Sequence, residues 1–273
     1  MTTSVEEKKS IVHEKPVDFL NKKVGIIGYG KIGSYVANRG YDEKKFDVKF
    51  IYDIDIRKVA EAKKKFPVCL KEEIIEKSKE CDLVVESASF EAVKEFYKIL
   101  HYTNMLICST SALFYFESLE RRIRNISKEF NTKLFIPHGA LIGLDGIELF
   151  DEITIITTKS PESLIKYPEK KSLKELGKRG VIYIGDVIGA CKNFPLNVNS
   201  HAAIALIAGV EKVKSRIEAY EGGNMHQIIA KRKNERMIIE IESRFSSKTS
   251  EYVPESIYFS ILEVLKDCEI KKC

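Results

Sequence analysis

Between residues 23 and 36 a short apolar run turns through three glycines directly into a helical pattern, and few folds accept that arrangement. Val24-Gly25-Ile26-Ile27-Gly28 has the character of a buried strand, and Ile32, Tyr35 and Val36 follow at helical spacing. Gly28-Tyr29-Gly30-Lys31-Ile32-Gly33 between them satisfies G-x-G-x-x-G, in the strand-loop-helix context that gives that pattern meaning. Each glycine has a physical task. Gly28 permits the tight turn, Gly30 lets the backbone approach a pyrophosphate, and Gly33 lets the helix sit close on the strand. Amides of the first helical turn, which holds Lys31 and Ile32, then receive the phosphate charge. The next strand, Val48 to Asp53, ends in an acidic residue placed for ribose hydroxyls. Its charge repels a 2′-phosphate and favours NAD over NADP, while Arg57 and Lys58 nearby soften that preference.

The alternation continues along the chain. Strands are expected at 82–86, 105–108 and 133–136, with helices at 56–66, 90–100 and 116–130 between them. Strands separated by helices of about 10–15 residues imply βαβ units and a parallel sheet covered on both faces. After Pro137 the pattern becomes strand-rich, with strands at 152–158, 181–184, 213–219, 226–231 and 237–241 and one clear helix after Pro195. A meander of this kind forms an antiparallel or mixed sheet. The expected fold is therefore α/β: a doubly wound parallel-sheet (Rossmann) domain followed by a mixed α+β domain. The boundaries read as an arm at 1–20, the dinucleotide domain at 21–137 completed by a C-terminal helix within 251–273, and a second domain at 138–250.

Composition narrows the function. With 45 basic and 40 acidic residues the net charge is only +5, too balanced for a nucleic-acid footprint. No apolar run approaches the roughly 20 residues that span a bilayer, and Met1 to Lys9 lack the apolar core of a signal peptide. The six cysteines form no C-x-x-C pair and read as reduced thiols, so a soluble cytoplasmic protein is expected. The five histidines include no pair at metal spacing, and only a convergence of His138, His201 and His226 in space would make a metal worth testing.

Several further clusters do not follow from packing. Pro137-His138-Gly139-Ala140-Leu141-Ile142-Gly143 joins the two domains, and Phe194-Pro195-Leu196-Asn197-Val198-Asn199 opens a helix with two side-chain amides. Asn224-Met225-His226-Gln227-Ile228 sets a histidine at a strand start, and Lys248-Thr249-Ser250 precedes the last helix. Together with the glycine loop, Glu86-Ser87-Ala88-Ser89 and Ser109-Thr110-Ser111-Ala112, their kind and order resemble the L-aspartate dehydrogenase family from residue 23 to about 265. The resemblance implies a homodimer joined through the second domain's sheet and NAD or NADP as acceptor. It implies conversion of L-aspartate to iminoaspartate, which hydrolyses to oxaloacetate and ammonia or feeds NAD biosynthesis. By the same resemblance His226 is the active-site histidine, and Ala88, Ser109, Ala140, Asn197 and Asn199 join Gly28, Gly30, Lys31, Ile32, Gly33 and Asp53 around the cofactor.

Elementary chemistry agrees. The Cα hydrogen of an amino acid leaves as hydride only when the amine is neutral, so a base titrating near neutrality is needed, and histidine is the natural choice. A dicarboxylate needs cations or clustered donors. Lys248 with Thr249 and Ser250, His138, and Lys159 are the candidates. The chain departs from the family pattern at His138, at Leu141-Ile142, and at His201, where a small residue is usual. Two alternatives therefore stay open: a related dehydrogenase acting on another amino or oxo acid, and a nucleotide-binding regulator without chemistry.

Overall fold

The computed structural model describes residues 21–164, 179–220, 224–243 and 252–266. Its first part is built from β1 (Lys23–Ile27), α1 (Lys31–Asp42), β2 (Asp47–Tyr52), α2 (Ile56–Ala62), α3 (Ile74–Ser78), β3 (Leu83–Glu86), α4 (Phe90–Phe96), β4 (Asn104–Ile107), α5 (Ala112–Tyr115), α6 (Leu119–Phe130) and β5 (Leu134–Phe135). The five strands are all parallel, in the order β2-β1-β3-β4-β5. Parallel strands covered on both sides bury successive residues to opposite faces, which is why they read as unbroken apolar runs. Val24, Ile26, Leu83, Val85 and Leu106 pack into one core, while Ile27, Val84, Met105 and Ile107 pack into another.

The second part contains β6 (Glu152–Lys159), α7 (Pro161–Leu164), β7 (Arg179–Asp186), α8 (Val187–Asn193), α9 (Asn199–Ala208), β8 (Val213–Tyr220), β9 (Asn224–Arg232) and β10 (Glu235–Ser243). Its sheet runs β10-β9-β6-β8-β7, parallel only between β6 and β8. Period-2 alternation aims Ile153, Ile155, Ile217, Ile228 and Ala230 at one core, where α8 and α9 cover them. Helix α9 is buried from His201 to Ala205 and at Ala208, and its alanines let it lie close on the strands. The opposite face presents Val181 and Ile184 on β7 and Ile238 on β10, all exposed, beside a buried Glu218 held by Arg179 at 2.7 Å and Arg216 at 2.6 Å.

The last helix, α10 (Tyr252–Leu265), returns to the first sheet. Val253, Ile257, Tyr258, Ile261, Leu262 and Leu265 recur at helical spacing and enter the core on the α1 side. Tyr258 donates to Glu43 at 2.8 Å and Arg39 reaches Glu255 at 2.8 Å, fastening α10 to α1.

The structure departs from the expected elements in several places. The helix expected at 116–130 begins only at Leu119, after Ser118 with its left-handed φ of 61°, and the short α3 and α5, not anticipated, precede it. Helix α2 ends at Ala62 instead of Phe66, and residues 63–66 continue as turns. The helix expected to reach Leu100 leaves α-geometry after Phe96 and tightens to a 3₁₀ turn over Tyr97–His101. Helix α8 was not anticipated; Asp186 caps it by accepting from Gly189 N at 2.7 Å. The expected arm at 1–20 and the Lys248-Thr249-Ser250 segment lie outside the described residues.

Candidate active site

A cleft of about 480 Å³ opens between the two parts, over the C-terminal ends of β1, β3 and β4. The strand order reverses between β1 and β3, and in open parallel sheets ligands bind at that switch point. On this side of the cleft the glycine loop meets the β3–α4 loop. Gly28 has φ of 97°, and a Cβ there would stand 2.7 Å from Ala88 N. A Cβ at Gly33 would stand 1.9 Å from the carbonyl oxygen of Gly28, so α1 can lie against the loop only with glycine there. At Gly30 the same construction meets nothing within 4 Å, leaving bare backbone facing open space beside the N-terminus of α1. Closely packed glycines around one open glycine form a cradle that fits a dinucleotide pyrophosphate. Lys31 and Ile32 line the cleft directly behind it.

Asp53 accepts from Tyr29 N at 2.6 Å through one carboxylate oxygen and from Asp55 N at 2.8 Å through the other. It braces the glycine loop and is not among the side chains lining the cleft, although each oxygen keeps a further lone pair for a ribose hydroxyl. Glu86, part of the Glu86-Ser87-Ala88-Ser89 motif, has a role that the sequence does not show. This side chain is fully buried at the end of β3 and accepts from Ala88 N at 2.8 Å, Ser109 N at 3.0 Å and Ser109 Oγ at 2.9 Å. Burial pushes its carboxyl up to about 7 against those bonds. Glu86 thereby joins the two loops that present Ala88 and Ser109 to the cleft. The available signal was an acid ending an apolar strand immediately before Ser-Ala-Ser.

The far side of the cleft comes from the second sheet and α9. Ser111 N donates to Asn199 Oδ1 at 3.1 Å and Ser111 Oγ to the Pro195 carbonyl at 2.6 Å, so these bonds stitch the two parts together at the cleft. Asn197 and Ala140 also line it, and the Ala140 carbonyl accepts from Tyr252 Oη at 2.6 Å. His138 sits exposed at the rim. Leu141, where the chain departs from the family pattern, turns into the core of the second part and is not among the residues lining the cleft.

His226 on β9 and Lys159 on β6 share the inner sheet face and both line the cleft. His226 is 6% and Lys159 7% exposed, and the ammonium has no ion-pair partner among the described residues. Burial pulls the Lys159 amine down to about 8. Burial first, then the Lys159 charge and His201, hold the His226 imidazole well below its ordinary value. It is therefore a neutral imidazole at physiological pH, not the near-neutral titrating group expected from the chemistry alone. His201 on α9 is buried beneath it, drawn down to about 3 by burial and Lys159. His138 does not join these two, and among the described residues no three acidic, histidine or cysteine side chains are grouped to hold a metal.

A doubly wound sheet with a nucleotide cradle, closed by a second sheet that brings an imidazole and an ammonium to the same cleft, defines a two-domain NAD(P)-dependent oxidoreductase. Comparison with known proteins narrows the class. Residues 28–137 match the family model described as homoserine dehydrogenase, NAD binding domain, and residues 143–264 match aspartate dehydrogenase, C-terminal. The chain is 31% identical to an L-aspartate dehydrogenase of Nitrosopumilus maritimus, over 81% of this chain and 88% of the relative. It is 28% identical to that of Archaeoglobus fulgidus, over 89% and 94%. The crystal structure of aspartate dehydrogenase from Thermotoga maritima superposes with a TM-score of 0.67 at 29% identity, covering 93% of this chain and 99% of that one. This chain belongs to the L-aspartate dehydrogenase family.

Proposed function

We propose that the protein catalyses NAD(P)-dependent oxidative deamination of L-aspartate to iminoaspartate, with His226 as general base and Lys159 as the partner of a substrate carboxylate. The observation carrying this reading is that a buried imidazole and a buried cation both line the cleft beside the nucleotide cradle. A neutral His226 can take a proton from the substrate ammonium. The Lys159 ammonium, lacking an ion pair among the described residues, gains one when a carboxylate enters. Lys31, Ile32, Ala88, Ser109, Ala140, Asn197 and Asn199, with the Gly28, Gly30 and Gly33 loop, hold the nucleotide. Asp53 supports that loop and offers its remaining lone pairs to a ribose. When bound, the nicotinamide supplies a two-electron acceptor for the Cα hydrogen. Once its proton has passed to solvent, His226 can activate water against the imine, unless a second enzyme consumes the imine first.

Purified protein should reduce NAD or NADP on addition of L-aspartate far faster than with other amino acids. His226→Ala should lower kcat about 10²- to 10⁴-fold. Aspartate turnover equal to that of the His226→Ala protein would sink the assignment, and a different preferred acid would move it to a sister activity.

We divide the chain functionally at residues 21–137, with α10 completing the nucleotide domain, and 138–250 for substrate and dimer contacts, His138, Lys248, Thr249 and Ser250 lying on the substrate side. The exposed Val181, Ile184 and Ile238 support a homodimer through that sheet face. Sedimentation at micromolar concentration checks it, and a monomer there would rule it out. Among the described residues no helix is long and apolar enough to cross a membrane, and we place the enzyme in the cytoplasm.

A further inference from the structure

Four polar side chains distant in sequence form one buried line behind the cleft. His226 Nδ1 is 3.0 Å from Thr157 Oγ1, Thr157 Oγ1 is 2.7 Å from His201 Nε2, and His201 Nδ1 is 2.9 Å from Ser215 Oγ. Thr157, His201 and Ser215 are completely buried, whereas His226 keeps a small exposure where it lines the cleft. Sheet register makes the line possible. Thr157 lies directly opposite His226 across the β6–β9 pair, Ser215 shares their face on β8, and α9 lowers His201 between them.

We propose that His201 is a positioning residue for His226, acting through Thr157 to fix which imidazole nitrogen carries the proton. This rests on the reading of His226 as the reaction's base. The argument is one of hydrogen counting. A threonine hydroxyl has a single proton, so between two imidazole nitrogens it donates to one and accepts from the other. Two proton orders satisfy the line. Were Ser215 to donate to His201 Nδ1, the count would end with the proton on His226 Nε2. The role of His226 as base selects the other order, in which His201 Nδ1–H donates to Ser215 and the bare His201 Nε2 accepts the Thr157 proton. Thr157 must then accept from His226 Nδ1–H, which leaves His226 Nε2 bare and facing the substrate. Both imidazoles are held neutral, so no additional proton blurs the arrangement. The titratable groups facing the line are the two imidazoles and Lys159 from β6; β8 contributes Ser215 and β10 opposes His226 with Ile241. Remove the acceptor at position 201 and the Thr157 proton turns to His226 Nδ1, placing the other proton on Nε2 and disabling the base.

The test uses the full-length enzyme with nitrogen-15-labelled histidine. In the wild type at neutral pH, the His226 resonances, assigned by their loss in His226→Ala, should show a bare Nε2 and a protonated Nδ1. His201→Leu should reverse that tautomer and lower kcat roughly 10- to 100-fold, the loss of one buried hydrogen bond, with KM for aspartate nearly unchanged. His201→Gln, whose carbonyl can accept from Thr157, should restore most of the rate. Should His201→Leu fail to fold, Thr157→Val against Thr157→Ser carries the same contrast, with serine active and valine impaired. A protonated Nε2 in the wild type overturns the proposal, as does a His201→Leu or Thr157→Val enzyme with wild-type kcat, or a His201→Gln enzyme no better than His201→Leu. An enzyme idle with aspartate would defeat the proposed activity, yet the tautomer would still decide this inference.

Discussion

The two sides of the cleft solve opposite problems. The nucleotide side is made of absence: glycines at 28, 30 and 33 whose missing side chains let backbone meet backbone and leave a space open. The catalytic side is made of buried polar presence, with Thr157, Lys159, His201, Ser215 and His226 packed on one sheet face. Backbone cradles tolerate any chemistry that fits their shape. A buried polar cluster is selective, because each member is costly unless it is bonded or meets the intended ligand.

That contrast can be broken by experiment. The largest effect should come from Gly33→Val, whose Cβ alone would overlap the Gly28 carbonyl. Loss of the loop should abolish measurable nucleotide binding by calorimetry and lower stability by about 3 kcal/mol or more. Retained nucleotide affinity would show that the cradle is not where the cofactor sits. Next, Lys159→Met should raise KM for aspartate roughly 10- to 100-fold while leaving the dissociation constant for NADH unchanged. In the wild type, inhibition by succinate, which has no amine to titrate, should weaken about tenfold per pH unit above 8, as Lys159 loses its proton. Equal succinate inhibition across that range would remove Lys159 from the substrate site.

The smallest and most discriminating test is stability against pH, because the two sides carry opposite signs. Glu86 binds its proton more tightly folded than unfolded, being raised from 4.5 to about 7. Its contribution is present below 4.5 and lost as pH rises through 7, on the order of 3 kcal/mol. His201, lowered from 6.5 to about 3, contributes stability that is present above 6.5 and lost as pH falls through 3. Denaturant midpoints of Glu86→Gln should lose the decline between pH 4.5 and 7, leaving only the histidine-driven rise. An unaltered profile in that variant would mean Glu86 is ionised in the folded protein.

The same contrast explains what could be read without coordinates. The glycine loop and the alternation of strands and helices are local patterns, and the parallel strands β1 to β4 fall where their apolar runs indicate, while the ends of α2 and α4 do not. His226 is singled out in the sequence by its immediate neighbours and the resemblance they carry. The line behind it is not, since Thr157, His201, Ser215 and His226 come from four different elements and only sheet register brings them together. His201 stood out solely as a departure from a family pattern. Asn199 was expected beside the cofactor, and its bond to Ser111 across the domain junction is a tertiary fact that no spacing reports.

The position of α10 has a consequence for synthesis. The core on the α1 side of the first sheet includes residues up to Leu265. On the ribosome, the segment that begins the nucleotide domain emerges long before the helix that finishes it, and the entire second sheet is translated in between. This domain therefore cannot complete its folding while the chain is growing from its N-terminus, as sequentially arranged domains do. It must wait, with part of that core still open beside α1, until residues 252–265 have been made.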